Sequence, residues 1–145
     1  MIDSRLLPLA IIAANDESVE GITRLQKLVF LAQEEYLEEE EYDFEPYDYG
    51  PFSTGLYSEV DNLELNGYVE CDEVATGSGN IKKEYEITRE GEEILERFED
   101  RNLRRKMEQI GELKERENDK PILELLRDIY NKYPEMAKNS QLNIT

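Results

Sequence analysis

The amino-acid sequence predicts a mainly helical protein of the α+β class with one small β-hairpin. Apolar residues recur at helical spacing over residues 22–37 and again over 53–67. The spacing then changes to strict alternation over residues 68–88, on both sides of a flexible Thr-Gly-Ser-Gly-Asn turn. Helical spacing returns after Thr88. Together with an apolar segment at residues 5–15, these patterns predict three helices, a hairpin and a further helical region.

The first two helices have well-defined apolar faces. Residues 5–15 are apolar almost all round, as expected of a helix in the middle of a core, and Pro8 requires this helix to begin near Leu6. The longest apolar run of the chain lies here and is far too short to span a bilayer. In the second helix, Thr23 and Gln26 have the spacing of a capping box, in which each side chain binds a backbone N–H group at the helix start.

An acidic segment rich in aromatic residues, Glu38 to Asp48, follows the second helix. Crowding of like charges makes a continuing helix unfavourable there. Gly50 and Pro51 then form a turn signal, with glycine permitting a backbone that a side chain would hinder. We expect the aromatic rings around this turn to cover the seam between helices, and the alternative is that they surround a groove for a partner.

The third helix and the hairpin come next. Ser53 or Thr54 can cap a helix that residues 66–67, Asn-Gly, would end with a left-handed residue. Alternating residues over 68–74 and 81–87 predict the two strands of the hairpin.

The remainder of the chain is predicted to be helical. Thr88 would cap a long helical region, and Pro121 would begin one more helix. We therefore divide the chain into a domain over residues 1–98 and a helical extension over 99–145. The extension carries an apolar stripe with two possible destinations, a homodimer through residues 95–133 or packing against the first helix. The stripe consists of Phe98, Leu103, Met107, Ile110 and Leu113, with Ile129 and Tyr130 contributing.

Composition limits the chemistry. The chain has 35 acidic and 17 basic residues and a formal net charge of -18. Because the acidic residues are spread over nearly every segment, they favour adaptation to high salt or solubility, and an acidic face for a basic partner is the alternative. There is no histidine, and Cys71 is the single cysteine, so histidine-dependent nucleophiles and an internal disulfide are both excluded. We expect a cytoplasmic protein that is not an enzyme and uses neither a cofactor nor a metal.

The predicted order of elements is that of a winged helix-turn-helix with a C-terminal helical extension. Two blocks narrow the comparison, ITRLQKLVFLAQEEY and FEPYDYGPFSTGLYSEVDNLELNGYV. They resemble the Panacea-type (SocA-like) antitoxin domain and related uncharacterised, largely archaeal winged-helix proteins. In those, a Leu-Gln-Lys-Leu helix is followed by an aromatic–Gly-Pro turn and another helix. The resemblance covers about residues 20–95 and implies a non-enzymatic protein that binds other macromolecules.

Two functions follow as expectations. The first is a regulatory protein that acts by binding a protein partner, such as a toxin or another regulator, through the aromatic turn. The partner-binding residues would be Tyr47, Tyr49, Phe52 and Tyr57.

The alternative is a winged-helix transcriptional regulator that binds DNA. Its predicted recognition helix, residues 53–67, contains three acidic residues and no lysine or arginine, which disfavours contact with phosphates. DNA contacts would then have to come from Lys82, Lys83, Arg89, Arg101, Arg104 and Arg105.

Overall fold

The computed structural model describes residues 6–37, 40–75, 77, 79–98 and 101–142. Within them, the helices are α1 (Leu6–Ala13), α2 (Ile22–Tyr36), α3 (Thr54–Leu65), α4 (Arg89–Phe98), α5 (Arg101–Glu117) and α6 (Ile122–Lys132). The strands are β1 (Val19–Glu20), β2 (Glu45–Tyr47), β3 (Gly50–Phe52), β4 (Val69–Ala75) and β5 (Ile81–Ile87). They form two antiparallel sheets, one with the order β1-β5-β4 and one made of β2 and β3. The prediction of a mainly helical α+β protein is confirmed.

The predicted hairpin and its flanking helices are confirmed. Strands β4 and β5 pair in continuous register from Val69 opposite Ile87 to Ala75 opposite Ile81. Helix α3 ends just before the hairpin and α4 begins just after it. The Thr88 hydroxyl accepts a hydrogen bond from the N–H group of Gly91 at 3.1 Å, as expected of a helix cap.

The predicted capping box at the start of α2 is wrong. The helix begins at Ile22, one residue before Thr23, and its N-cap is Gly21, which makes no side-chain cap bond and has φ +93°. The Gln26 side chain instead binds the backbone of Ser53. A buried N–H group such as that of Ser53 competes more strongly for this amide than a helix end that water can reach.

Three short strands, β1, β2 and β3, were not predicted from the sequence pattern. Strand β1 has only two residues, of which Val19 lies opposite Tyr85 of β5, so it is too short to show alternation. Strands β2 and β3 face each other with Pro46 opposite Pro51. Proline normally argues against a strand because it has no N–H group to donate, although it is tolerated at sheet edges.

A single core cluster receives side chains from every helix. Helix α1 lies at its centre, with Leu6 to Ile12 all buried, as its sequence predicts. Helix α5 packs against both α1 and α2. The Lys114 ammonium links α5 to the end of α1, because it donates to the carbonyl groups of Ile12 at 2.9 Å and Ala14 at 2.7 Å. It also donates to the carbonyl group of Glu17.

The apolar stripe of the extension is largely covered by the chain itself. Its members Leu103, Ile110, Leu113, Ile129 and Tyr130 are buried in the core cluster. Packing against the chain's own helices, one of the two predicted destinations, therefore accounts for these side chains. Met107 is partly buried against the same cluster, and Phe98 remains exposed. The homodimer and the boundary after residue 98 stay predictions.

Within residues 6–37, 40–75, 79–98 and 101–142, no helix combines the length and the apolar character needed to cross a bilayer.

Candidate functional site

The turn between β3 and α3 is held from below by the buried side chain of Gln26 in α2. The Gln26 amide nitrogen donates to the Ser53 carbonyl at 3.0 Å, and its amide oxygen accepts from the Ser53 N–H group at 2.9 Å. One side chain thus satisfies both backbone groups of Ser53, as a neighbouring strand would. The Ser53 hydroxyl is then free to cap α3, accepting from the Leu56 N–H group at 3.1 Å. The predicted cap at Ser53 is confirmed.

A second glutamine of α2 holds the other end of the connection. The Gln33 amide nitrogen donates to the Tyr42 carbonyl at 2.8 Å, and its amide oxygen accepts from the N–H groups of Glu41 and Tyr42 at 2.9 and 2.8 Å. Gln26 and Gln33 are seven residues apart, which places them on the same face of the helix. The connection from Glu41 to Ser53, here called the aromatic segment, is therefore attached to one face of α2 at both of its ends.

Lys27 of α2 makes a further buried contact near Ser53, at Pro51 of β3. Its side chain is 1% exposed, and its ammonium donates to the Pro51 carbonyl at 2.8 Å. Burial lowers the pKa of Lys27 to about 7. Gly50 lies directly above it with φ +84°, and a Cβ atom there would be 2.9 Å from Leu126 Cδ2 and 3.2 Å from Lys27 Cε. The expectation that Gly50 permits a backbone unsuited to a side chain is confirmed.

The aromatic residues of the segment divide into an inner and an outer group. Tyr42 is buried, and the Phe44 ring meets the Phe30 ring edge to face at a centroid distance of 5.3 Å. These two rings cover the seam between helices, as expected. The outer group consists of Tyr47 and Tyr49, which are exposed, and Phe52, which is partly buried. Tyr57 of α3 is also exposed and lies next to this group.

Three of these rings form a continuous surface, here called the aromatic row: Tyr47, Phe52 and Tyr57. The Tyr47 and Phe52 rings stack at 5.2 Å with 11° between their planes, and the Phe52 and Tyr57 rings lie 5.9 Å apart. Tyr47 is 41% exposed and Tyr57 is 43% exposed. The row connects the β2–β3 hairpin to α3, so two elements fix its geometry.

Acidic residues lie beside both parts of the row. Glu45 is exposed and pairs directly opposite Phe52 in the hairpin, so their side chains share one face. Asp61 is exposed and follows Tyr57 by four residues in α3, which makes them neighbours on the helix surface. None of the 17 basic residues of the chain lies between Lys27 and Lys82. Carboxylates therefore lie beside both ends of the row, and residues 28–81 contribute no cation to it.

Tyr49, the remaining predicted partner-binding residue, lies in the turn between β2 and β3. It is 51% exposed and borders two depressions. One, of about 560 Å³, is shared with Lys27 and two rings of the row. The other, of about 430 Å³, is an apolar groove that also includes Ile81 and Leu123. The structure thus brings Tyr47, Phe52 and Tyr57 together and places Tyr49 at their margin.

The basic residues predicted for DNA binding lie on three elements, with Lys82 and Lys83 on β5, Arg89 in α4, and Arg101, Arg104 and Arg105 in α5. Several face carboxylates. Lys82 is 3.6 Å from Glu20, Lys83 pairs opposite Glu73, and Arg89 is 3.6 Å from Glu93. Such exposed pairs are weak, but they reduce the positive potential that a phosphate would meet.

Among the described residues, one group of carboxylates is close enough together to hold a cation. On the hairpin, oxygens of Glu70, Asp72 and Glu86 lie within 4.8 Å of one another. All three residues are exposed, and exposed acidic groups often approach each other in this way without an ion. This cluster therefore supports no metal site.

Comparison with known proteins gives no assignment, since no protein-family model and no curated protein matches this chain. The geometry of the aromatic row and its surroundings therefore carries the functional argument.

Gln26→Ala tests whether α2 holds the turn. We expect the free energy of unfolding to fall by about 2 kcal/mol, because the buried Ser53 N–H group loses its partner and the Ser53 carbonyl keeps only its bond from the Tyr57 N–H group. Urea unfolding followed by circular dichroism measures this loss. Gln141→Ala removes an exposed amide and is the control, with an expected change within about 0.5 kcal/mol. Equal effects of the two substitutions would contradict the assigned role of Gln26.

Proposed function

We propose that this chain is a winged-helix regulatory protein that acts by binding a protein partner through the aromatic row. The observation that carries the proposal is the division of the aromatic segment. Tyr42 is buried and Phe44 is partly buried against the core, whereas Tyr47 and Tyr57 stay 41% and 43% exposed although they pack in order against Phe52. An ordered, exposed aromatic surface is typical of a binding site, and tyrosine is enriched among the residues that dominate binding energy.

The order of elements supports the winged-helix part of the proposal. Helices α1, α2 and α3 precede a β4–β5 hairpin, and the short strand β1 adds to the hairpin in the order β1-β5-β4. In such an arrangement, α3 is the helix that would face a target and the hairpin is the wing. The aromatic row includes Tyr57 of α3, so the proposed surface overlaps the usual recognition element.

Preorganisation supports a binding role for the row. Gln26 and Lys27 bind the backbone of Ser53 and Pro51, which lie on either side of Phe52. A surface that is already fixed loses little conformational entropy when a partner docks. Tyrosine adds to this advantage, because its large ring has few rotatable bonds.

Charge favours a protein over DNA as the target. Helix α3 carries Glu59, Asp61 and Glu64 and no basic residue. Phosphates would be repelled from this helix, since nucleic-acid affinity comes largely from contacts between phosphates and cations. DNA binding would have to depend on cations outside this helix, which are Lys82 and Lys83 of β5, Arg89 of α4, and Arg101, Arg104 and Arg105 of α5.

The proposal is tested with the double variant Tyr47→Ala with Tyr57→Ala. Proteins retained from native extract by the wild-type chain are identified, and the purified partner is titrated against each variant by calorimetry. We expect the double variant to lose at least about 30-fold in affinity, because hot-spot residues contribute about 2 kcal/mol or more.

Two further variants serve as controls. Phe98→Ala removes an exposed aromatic ring from α4 and should leave the affinity nearly unchanged. Lys82→Glu with Lys83→Glu should also retain binding. Loss of partner binding in this lysine variant, with the affinity of the tyrosine variant unchanged, would place the binding surface on the β4–β5 hairpin and contradict the role of the aromatic row.

A further inference from the structure

The aromatic row has carboxylates beside it that the chain does not neutralise. Glu45 lies beside Phe52 through the hairpin register, and Asp61 lies one turn beyond Tyr57. Opposed residues in a hairpin have Cβ atoms about 5 Å apart, and neighbours four apart on a helix are about as close. Both carboxylates are therefore within reach of a group that rests on the rings.

The cations that flank this region in sequence are engaged elsewhere. Lys27 is 1% exposed and bonded to the Pro51 carbonyl, and Lys82 faces Glu20 at 3.6 Å. No ion pair to Glu45 or Asp61 occurs within the part of the chain that the structure describes. Lys138 is exposed and precedes Asn139, whose amide donates to the Pro46 carbonyl at 2.9 Å, but Lys138 makes no ion pair with the described residues. Both carboxylates can therefore accept a cation from a partner.

The ring geometry distinguishes between cations. Tyr47 and Phe52 stack with 11° between their planes, so one face of each ring is covered by the other, and Phe52 also has the Tyr57 ring 5.9 Å away. Tyr47 stands at the end of the row and is 41% exposed, so its outer face is the flat surface left for a cation. A planar guanidinium can stack on such a face while its N–H groups bind a carboxylate at the side. An ammonium is a compact, strongly hydrated charge and cannot stack in the same way.

We propose that the partner segment bound by the aromatic row presents arginine, whose guanidinium stacks on the row and pairs with Glu45 or Asp61. This inference rests on the proposed function, since it names the chemistry of the partner at the same surface. The net charge of -18 agrees with it, because a cationic segment is attracted to the chain and a phosphate or acidic segment is repelled.

The experiment compares three fluorescein-labelled peptides of one design, Gly-Leu-X-Leu-X-Leu-Gly, in which X is arginine, lysine or citrulline. Each is titrated with the full chain by fluorescence anisotropy at about 0.15 M salt, where long-range attraction is already screened beyond about 8 Å. We expect the arginine peptide to bind at least about fivefold more tightly than the lysine peptide, since only a guanidinium can stack on a ring and form a bidentate ion pair with a carboxylate. Citrulline has a similar shape without the charge and should bind most weakly.

Variants of the chain then locate the binding. Glu45→Gln with Asp61→Asn should reduce the affinity for the arginine peptide by about tenfold. Glu70→Gln with Asp72→Asn is the control, because it removes the same number of charges from the β4–β5 hairpin, and it should have little effect. Tyr47→Leu keeps an apolar side chain but removes the flat ring. It should reduce the preference for arginine over lysine.

Each result supports or overturns the inference. Equal binding of the arginine and lysine peptides, or equal weakening by the two carboxylate variants, would show general charge attraction and overturn it. Absence of peptide binding would also overturn it. The proposed function would still stand in these cases if Tyr47→Ala with Tyr57→Ala weakened binding of the identified partner. If those two substitutions left partner binding unchanged, the proposed function itself would fail.

Discussion

Gly91→Ala is expected to destabilise the protein by about 3 kcal/mol or more, because the first turn of α4 has no room for a methyl group. A Cβ atom at Gly91 would overlap the carbonyl oxygen of Tyr68 and lie 2.8 Å from Ile87 Cγ1. The Tyr68 backbone cannot shift freely, since its carbonyl accepts from the Thr88 N–H group at 3.1 Å and its own N–H group donates to the Leu63 carbonyl at 2.9 Å. Urea unfolding followed by circular dichroism measures the loss.

Gly55→Ala is the matched control, because it makes the same change in another helix. A Cβ atom at Gly55 would meet its nearest neighbours, Ser53 Oγ and Tyr42 Cδ1, at 3.7 and 3.9 Å, which are ordinary contact distances. Alanine also restricts the unfolded chain more than glycine, so this variant should gain about 0.5 kcal/mol. If Gly91→Ala proved as stable as Gly55→Ala, the close packing of α4 on the strand that follows α3 would be contradicted.

The free energy of unfolding of the wild-type protein is expected to rise between about pH 7 and pH 10.5, and Lys27→Met should remove much of this rise. Burial lowers the pKa of Lys27 from 10.5 to about 7. Between these values the unfolded chain holds a proton that the native protein has lost, so stability increases with pH. Below pH 7 both states are protonated and the cost of the buried charge is fully present. One proton corresponds to a slope of about 1.4 kcal/mol per pH unit.

The difference between the two proteins is the quantity to measure. Lys27→Met removes the buried charge and also the bond to the Pro51 carbonyl. The variant should therefore gain relative to wild type at pH 6 and lose relative to it at pH 10, with a total change of about 4 kcal/mol. Lys82→Met, which changes a lysine that remains in solvent, should give a curve parallel to that of wild type. Parallel curves for Lys27→Met as well would show that the Lys27 ammonium is not buried.

The sequence pattern predicted the elements whose side chains repeat over several turns or several strand residues. Helices α2 and α3 and the β4–β5 hairpin are long enough for the period of burial to be visible. Strands β1, β2 and β3 have two or three residues each. Pro46 in β2 and Pro51 in β3 also have no backbone N–H group to donate a hydrogen bond. Their pairing is decided by tertiary contacts, which leave no repeat in the sequence.

The candidate site was predicted in location but not in its construction. The concentration of aromatics around Gly50 was visible, but spacing in an irregular segment cannot tell Phe44, which packs inward, from Tyr47, which remains outside. The role of Gln26 was assigned to a local cap because its true partner, Ser53, is 27 residues away. Gln26, Lys27 and Gln33 are polar residues within the buried part of α2, and a polar residue in that position indicates a buried hydrogen-bond partner.

The attachment of the aromatic segment to α2 has a consequence for the cooperativity of unfolding. Gln26 and Gln33 hold both ends of the segment through hydrogen bonds to backbone groups, and α2 is itself buried in the core. The row cannot detach without exposing these amides, so it belongs to the same cooperative unit as the core and not to a locally fraying loop. Amide hydrogens at Tyr42 and Ser53 would consequently exchange with solvent only when the whole domain opens. The surface that is proposed to meet a partner is thus as persistent as the fold itself.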